Sequence, residues 1–213
     1  MRIIFLLLMS LSANLLAQEG TPPDRLQYHI SIGQYPASLG LPSFSALHPG
    51  VNTGVTLRYT DHIRHQVNQT ANIGYFYHKN LQQAIQVFTE GNYTMKFGNG
   101  LAITPFSIGG GYVLSIPNMT TLEWNSSTQQ YEETTKVRHN WLISIGASAS
   151  WETNFILIHN RKTTFFVDYR LQVQGTFVQE TIPVIAYTPI RIGMSFPFKE
   201  NIRGYMYKKS FFD

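Results

Sequence analysis

Along most of the chain apolar and polar residues alternate with a period of two, the pattern of a β-strand whose two faces meet different surroundings. From Val51 to Thr60 the odd positions Val51, Thr53, Val55, Leu57 and Tyr59 oppose Asn52, Gly54, Thr56, Arg58 and Thr60. From Gln66 to His78, Ala71, Ile73, Tyr75 and Tyr77 oppose Asn68, Thr70, Asn72 and Gly74. The segments Ala84–Phe97 and Thr164–Phe177 repeat the pattern, as do Leu26–Gly33, Ala102–Ile116, Trp141–Glu152 and Ile190–Lys199. No helical stripe of useful length interrupts them. The reading is all-β with eight strands, several of them longer than the five or six residues common in soluble sheets. Pro105, which has no N–H for a ladder, marks a bulge or a late start in the fifth strand.

The two faces identify the surroundings. Arg58, Glu90, Lys96, Glu152, Asp168, Arg170 and Arg191 all fall on the polar side with His29 and His78, among Gly, Ser, Thr and Asn. The other side carries long aliphatic and aromatic rows. That is an inside-out arrangement, with the apolar face to lipid and a polar core of paired charges. The competing arrangement is a soluble sandwich with one wet face per sheet. Trp141 and Trp151 share the apolar face of the sixth strand. Ten steps of about 3.3 Å, tilted by roughly 40°, project to about 25 Å, the height of a lipid-facing band between aromatic girdles. Tyr75, Tyr77, Phe196 and Phe198 are the further interface aromatics.

Connection lengths fit an up-and-down barrel. Gln34–Gly50, Pro117–Asn140 and Val178–Pro189 are long and Asp61–His65 and Gly98-Asn99-Gly100 are short, as expected if the odd-numbered connections are extracellular. Lys79–Gln83 and Thr153–Thr163 break the parity.

Charge and composition then narrow the class. With 13% charged residues, 12 Tyr, 14 Phe and no Cys in 213 residues, disorder, a disulfide scaffold and a Cys-ligated metal are excluded. Arg2 followed by Ile3–Met9 and ending in Leu15-Leu16-Ala17 reads as a secretory signal peptide, residues 1–17. Its removal leaves 15 Lys+Arg against 12 Asp+Glu, a charge of about +3, with no basic run longer than a pair such as Lys208-Lys209, so nucleic acid is not an expected partner. Residues 18–198 form the barrel, and 199–213 a basic, aromatic periplasmic tail.

Arg191-Ile192-Gly193-Met194-Ser195-Phe196-Pro197-Phe198 resembles the final-strand signal by which outer-membrane barrels are recognised for insertion, although Lys199 to Asp213 follow it and Pro197 interrupts it. The chain as a whole resembles a small eight-stranded outer-membrane barrel of the OmpX type. His48-Pro49-Gly50 and Gly74-Tyr75-Phe76-Tyr77-His78 are similar to segments of a group of uncharacterised bacterial outer-membrane barrels. The resemblance implies an antiparallel up-and-down transmembrane β-barrel in the outer membrane of a Gram-negative bacterium. It implies outer-membrane lipid and the barrel-assembly machinery as partners, and it supplies no activity.

Candidate chemistry is sparse. An eight-stranded interior is just wide enough to be filled by side chains, so no general diffusion pore is expected; a narrow small-solute channel is an alternative. His29-Ile30-Ser31, with Glu90 or Asp168 as acid, is the material for a lipid A acyl hydrolase, but the pair falls on the polar face, where a buried Ser/His hydrogen bond is expected. If strands two and three pair around a turn near Ile63, His48 faces His78, with His139 above them, a candidate metal site or pH-sensitive latch. Asp61, His62 and His65 form a solvated turn. Trp124 and Tyr131, among Glu123, Glu132 and Glu133, offer a binding surface on the third outer loop, Asn118 to His139. No cofactor is expected. The overall expectation is a non-enzymatic barrel with a structural or binding role, an accessory subunit of an envelope assembly.

Overall fold

A computed structural model of the chain describes residues 26–38, 47–118, 121–125, 129–134, 137–153, 163–178 and 182–198. The segments expected to be a signal peptide and a C-terminal tail, and most of Thr153–Thr163, lie outside the described residues. The strands are β1 (Leu26–Gln34), β2 (Pro49–Asp61), β3 (His65–Tyr77), β4 (Gln82–Lys96), β5 (Leu101–Pro117), β6 (Thr121–Asn125), β7 (Gln130–Thr134), β8 (Arg138–Thr153), β9 (Thr163–Val178), β10 (Ile182–Tyr187) and β11 (Ile190–Pro197). Every ladder is antiparallel, each barrel strand pairs with its sequence neighbour, and the circle closes between β11 and β1.

The closed barrel has eight strands because β10 and β11 are two halves of one. Tyr187 pairs with Gln172 and Ile190 with Tyr169, so one register on β9 runs through both. Thr188-Pro189 breaks the strand, since Pro189 has no N–H to donate. The final strand therefore starts at Ile182, inside the segment expected to be loop Val178–Pro189. Similarly, the segment expected to be loop Pro117–Asn140 contains the β6–β7 hairpin. Pro105 sits in a bulge, the ladder shifting between Thr104 and Ser107; further bulges follow Arg58, Tyr93 and Ile182. Bulges bend strands and add twist, which helps a narrow sheet close.

Two ends can be distinguished. The near end carries the start of β1, the β2–β3, β4–β5 and β8–β9 connections and the finish of β11; the far end carries the β1–β2, β3–β4, β5–β8 and β9–β10 connections. The alternation resolves as read from the sequence, with Ile73, Val87, Ile108, Ile143, Ile145, Val167 and Ile192 exposed outside and Asn72, Gln86, Glu90, Ser144, Asp168, Gln172 and Arg191 buried inside.

The interior is not uniformly polar, which corrects one expectation. Towards the far end it is filled by Tyr35, Phe76, Phe88, Val113, Leu142 and Tyr187, all at most 3% exposed. Tyr35 stacks on Phe76 at 5.0 Å, and Phe76 meets Tyr187 at 5.0 Å. The near half is polar and encloses a cavity of about 410 Å³ bordered by His29, Arg58, Lys96, Glu152, Arg170 and Arg191.

Candidate functional site

The charged residues of the polar core converge between these halves. Arg191 and Asp168 are directly opposite on β11 and β9, and Arg191 Nε donates to Asp168 Oδ1 at 2.8 Å. Arg170 on β9 reaches across the lumen to β4, where its Nε donates to Glu90 Oε1 at 3.2 Å. Ser144 Oγ donates to the same oxygen at 2.6 Å, and Arg170 Nη1 donates to the Ala147 and Tyr169 carbonyls at 3.1 and 3.4 Å. All four charged side chains are at most 7% exposed. A buried charge is tolerated where it is both paired and hydrogen-bonded, and each of these is.

Glycines make the crossing possible. A Cβ at Gly146 would lie 2.3 Å from Arg170 Cδ, and one at Gly109 would lie 2.7 Å from Glu90 Cγ and 2.0 Å from the Thr89 carbonyl. Both walls are stripped to backbone where the ion pair runs.

Above the ion pair, β4 and β9 are joined by glutamines that the sequence reading did not single out. Gln82 Nε2 donates to Gln174 Oε1 at 2.8 Å, Gln174 Nε2 returns a bond to Gln82 Oε1 at 3.4 Å, and Gln86 Nε2 donates to Gln172 Oε1 at 3.3 Å. Gln82 also donates to the Tyr187 hydroxyl at 2.9 Å, tying the polar struts to the aromatic plug. Their signal was the inward position of four glutamines in Gln82-Gln83-Ala84-Ile85-Gln86 and Gln172-Val173-Gln174.

The other predicted core residues divide. His29 is buried, but its partners are Asn72 Oδ1 at 2.8 Å through Nε2 and Thr56 Oγ1 at 3.3 Å through Nδ1. Ser31 Oγ donates to the Asn52 carbonyl at 3.5 Å. The expected Ser/His bond is thus corrected: on an extended strand residues two apart sit side by side on one face, and here Ser31 bonds the neighbouring strand β2, while His29, opposite Gly54, reaches past it to Asn72 on β3 as well as to Thr56 on β2. Glu90 and Asp168, nominated as its acid, are held by arginines. Arg58 and Lys96 are half-buried along the near-end cavity. Glu152 is exposed at its mouth instead of buried, because β8 has reached its last residues there.

At the far end the β2–β3 register pairs Gly50 with Phe76 and carries His48 and His78 onto each other just beyond the strands. Their rings stack with centroids 3.5 Å apart and planes 9° from parallel. Both are 6% exposed, and the Nδ1 of each is buried without a hydrogen-bond partner. Burial, and then the neighbouring His48 charge, hold His78 down to about 4; burial also lowers His48. Parallel rings aim their lone pairs side by side, which does not suit joint coordination of one ion, and no cluster of three metal-ligating side chains occurs among the described residues.

His139 does not join them. It pairs across from Leu114, faces outward, and bonds the Tyr112 hydroxyl on the barrel exterior. An odd residue of β8 shares its face with Ile143 and Ile145, so the ladder places it on the wall and not over the mouth. Trp124 and Tyr131 oppose each other in the β6–β7 hairpin. In the near-end turn His62 and His65 are exposed, and His65 Nδ1 meets the Tyr93 hydroxyl at 2.8 Å. On the exterior Trp151 is 59% exposed, Trp141 lies over Gly175, and Phe198 packs against Tyr28 at 5.0 Å. Tyr75 is exposed and Tyr77 and Phe196 half-buried.

Comparison with known proteins supports the fold. No family model and no curated protein matches the chain. Among solved structures it is similar to Neisserial surface protein A, NspA, at 9% identity and a TM-score of 0.54, over 84% of this chain and 100% of that one. It also matches the outer-membrane enzyme PagL at 10% identity, 78% and 97% coverage and a TM-score of 0.45. The attachment invasion locus protein Ail of Yersinia pestis matches at 13% identity, 81% and 98% coverage and a TM-score of 0.40. The chain thus has the fold of small eight-stranded outer-membrane barrels.

Proposed function

We propose that the chain is a non-enzymatic outer-membrane barrel whose specific contacts are made at its far, extracellular end, as a binding subunit of an envelope assembly. The observation that carries this reading is the use to which the interior is put. Among the described residues both buried acids, Glu90 and Asp168, are tied to arginines, the far half is filled with aromatic and aliphatic side chains, and the His29 and Ser31 side chains are bonded elsewhere. This arrangement of the described residues favours neither a conducting path nor an activated His29/Ser31 pair. The exterior, with its apolar band and Trp151, Tyr75 and Phe198 towards the two rims, suits a bilayer. What remains for recognition is the far end, where the β6–β7 hairpin sets Trp124 opposite Tyr131.

The test is extraction of the tagged full-length protein from its own membranes in mild detergent, with mass spectrometry of what elutes. A stoichiometric protein partner, lost on Trp124→Ala with Tyr131→Ala, is the expected result. Elution alone as a heat-modifiable monomer would remove the subunit reading. Recovery without detergent would remove the membrane placement.

A further inference from the structure

The near-end cavity runs inward from the turns of that end, where Ile63, Phe97 and Gly100 border it, to the Arg170–Glu90 and Arg191–Asp168 bridges. At about 410 Å³ it falls within the roughly 300–1,000 Å³ of small-molecule clefts. Its wall is amide and hydroxyl in character, with Asn52, Asn68, Asn72 and Asn92 beside Thr56 and Thr70.

Arg58 distinguishes this wall. The alternation of β2 turns it inward, opposite Asn68 on β3, and it borders the cavity half-buried. Its Nε is buried and has no hydrogen-bond partner, and among the described residues no carboxylate bridges it. The register explains why. Asn68 turns its Oδ1 to Asn92 Nδ2 at 2.9 Å and donates its own Nδ2 to Thr94 Oγ1 at 3.5 Å. Glu90 and Asp168 are already held by Arg170 and Arg191. A guanidinium is a permanent cation whose fork of N–H groups matches a carboxylate. A buried N–H without a partner favours a ligand that supplies the acceptor.

We propose that this cavity binds a small sugar acid, Arg58 taking its carboxylate and the amide-lined wall its hydroxyls. Asparagine and threonine side chains both donate and accept hydrogen bonds, as sugar hydroxyls do. Phe166 on β9, half-buried on the same cavity, offers an apolar ring to the C–H face of the sugar. One unbridged guanidinium matches the single charge of a carboxylate, whereas a phosphate ester carries closer to two. The site is reached from the near end and is independent of the far-end partner proposed above.

The experiment is calorimetric titration of the full-length protein in detergent micelles, at neutral pH, with glucuronate, glucose and glucose 6-phosphate. Glucuronate is expected to bind saturably, one per chain, and about tenfold or more tightly than either of the others, the loss of one charge-assisted bond. Arg58→Gln should abolish that preference and Arg58→Lys should keep part of it. Arg64→Gln, which removes an exposed cation of the β2–β3 turn, should leave it unchanged. Ser150→Trp fills the cavity from β8 with Arg58 in place, and should abolish binding as well. Heat-modifiability on gels shows which variants are folded, and either of Arg58→Gln and Ser150→Trp suffices for the decision. No saturable glucuronate binding, glucose or glucose 6-phosphate binding as tightly as glucuronate, or wild-type affinity in a folded Arg58→Gln or Ser150→Trp variant would each overturn the site.

Discussion

Arg170 and Glu90 meet across the barrel, not along its wall: the strands that carry them, β9 and β4, are not neighbours, yet Nε lies 3.2 Å from Oε1. The pair is a strut through the middle of the lumen, and with the glutamines above it makes β4 and β9 opposite sides of one braced box. Removing one end leaves a buried charge with no counter-charge. Arg170→Met is therefore expected to cost about 3–5 kcal/mol, and Arg170→Met with Glu90→Leu markedly less, read from urea unfolding of the refolded protein in micelles. Equal losses in the single and double variants would contradict a braced pair.

The glycines opposite the strut predict a position-specific sensitivity. Gly146→Ala puts a methyl against Arg170 and is expected to destabilise by about 1–3 kcal/mol. Gly91→Ala, whose Cβ has its nearest neighbour at 3.9 Å, is expected to be near neutral. The same unfolding measurement compares them.

The stacked histidines predict a pH dependence with a definite sign. The folded state holds His78 down to about 4 while the unfolded chain has it at 6.5, so between these values the unfolded state binds more protons. Stability is full above about pH 6.5, falls as pH drops towards about 4, and is flat below for this group. His78→Phe, which keeps the stack without the titration, should flatten that part of the curve. Unfolding midpoints measured across this range provide the check, and an unchanged slope in the variant would contradict it.

If the interior is closed, the protein in planar bilayers should show no stable conductance of nanosiemens size, with or without the Phe76→Ala change that thins the plug. The bonding of Ser31 to a backbone carbonyl likewise predicts that Ser31→Ala leaves lipid A acylation in overexpressing cells identical to that with wild type. Deacylation by wild type alone would restore the hydrolase reading.

The period-two pattern made the strands and their faces legible because a wall one residue thick must show each face every second residue. It carried no sign of which inward residues would be apolar. The hint lay where alternation lapses, at Tyr75-Phe76-Tyr77, Val87-Phe88 and Trp141-Leu142-Ile143, where two or three apolar residues in a row force one inward. The facing of His48 and His78 follows from a local turn register and was readable. The glutamine struts and the Arg170–Glu90 pair depend on how the sheet closes, which joins residues 80 or more apart and leaves no local trace. His139 was placed above the mouth on proximity alone, and the parity of β8 overrules proximity.

The central claim is that the apolar face of these strands points to lipid and the polar face into the barrel. The chain contains no cysteine, so single cysteines along β8 carry a nitroxide label without background. In proteoliposomes, labels at Ile143, Ile145, Ala147 and Ala149 should collide with dissolved oxygen and be shielded from a water-soluble nickel chelate. Labels at Ser148 and Ser150, which border the near-end cavity, should show the reverse. That alternation through the strand is the result this account predicts; chelate access at Ile143 and Ile145 equal to that at Ser148 and Ser150 would contradict it.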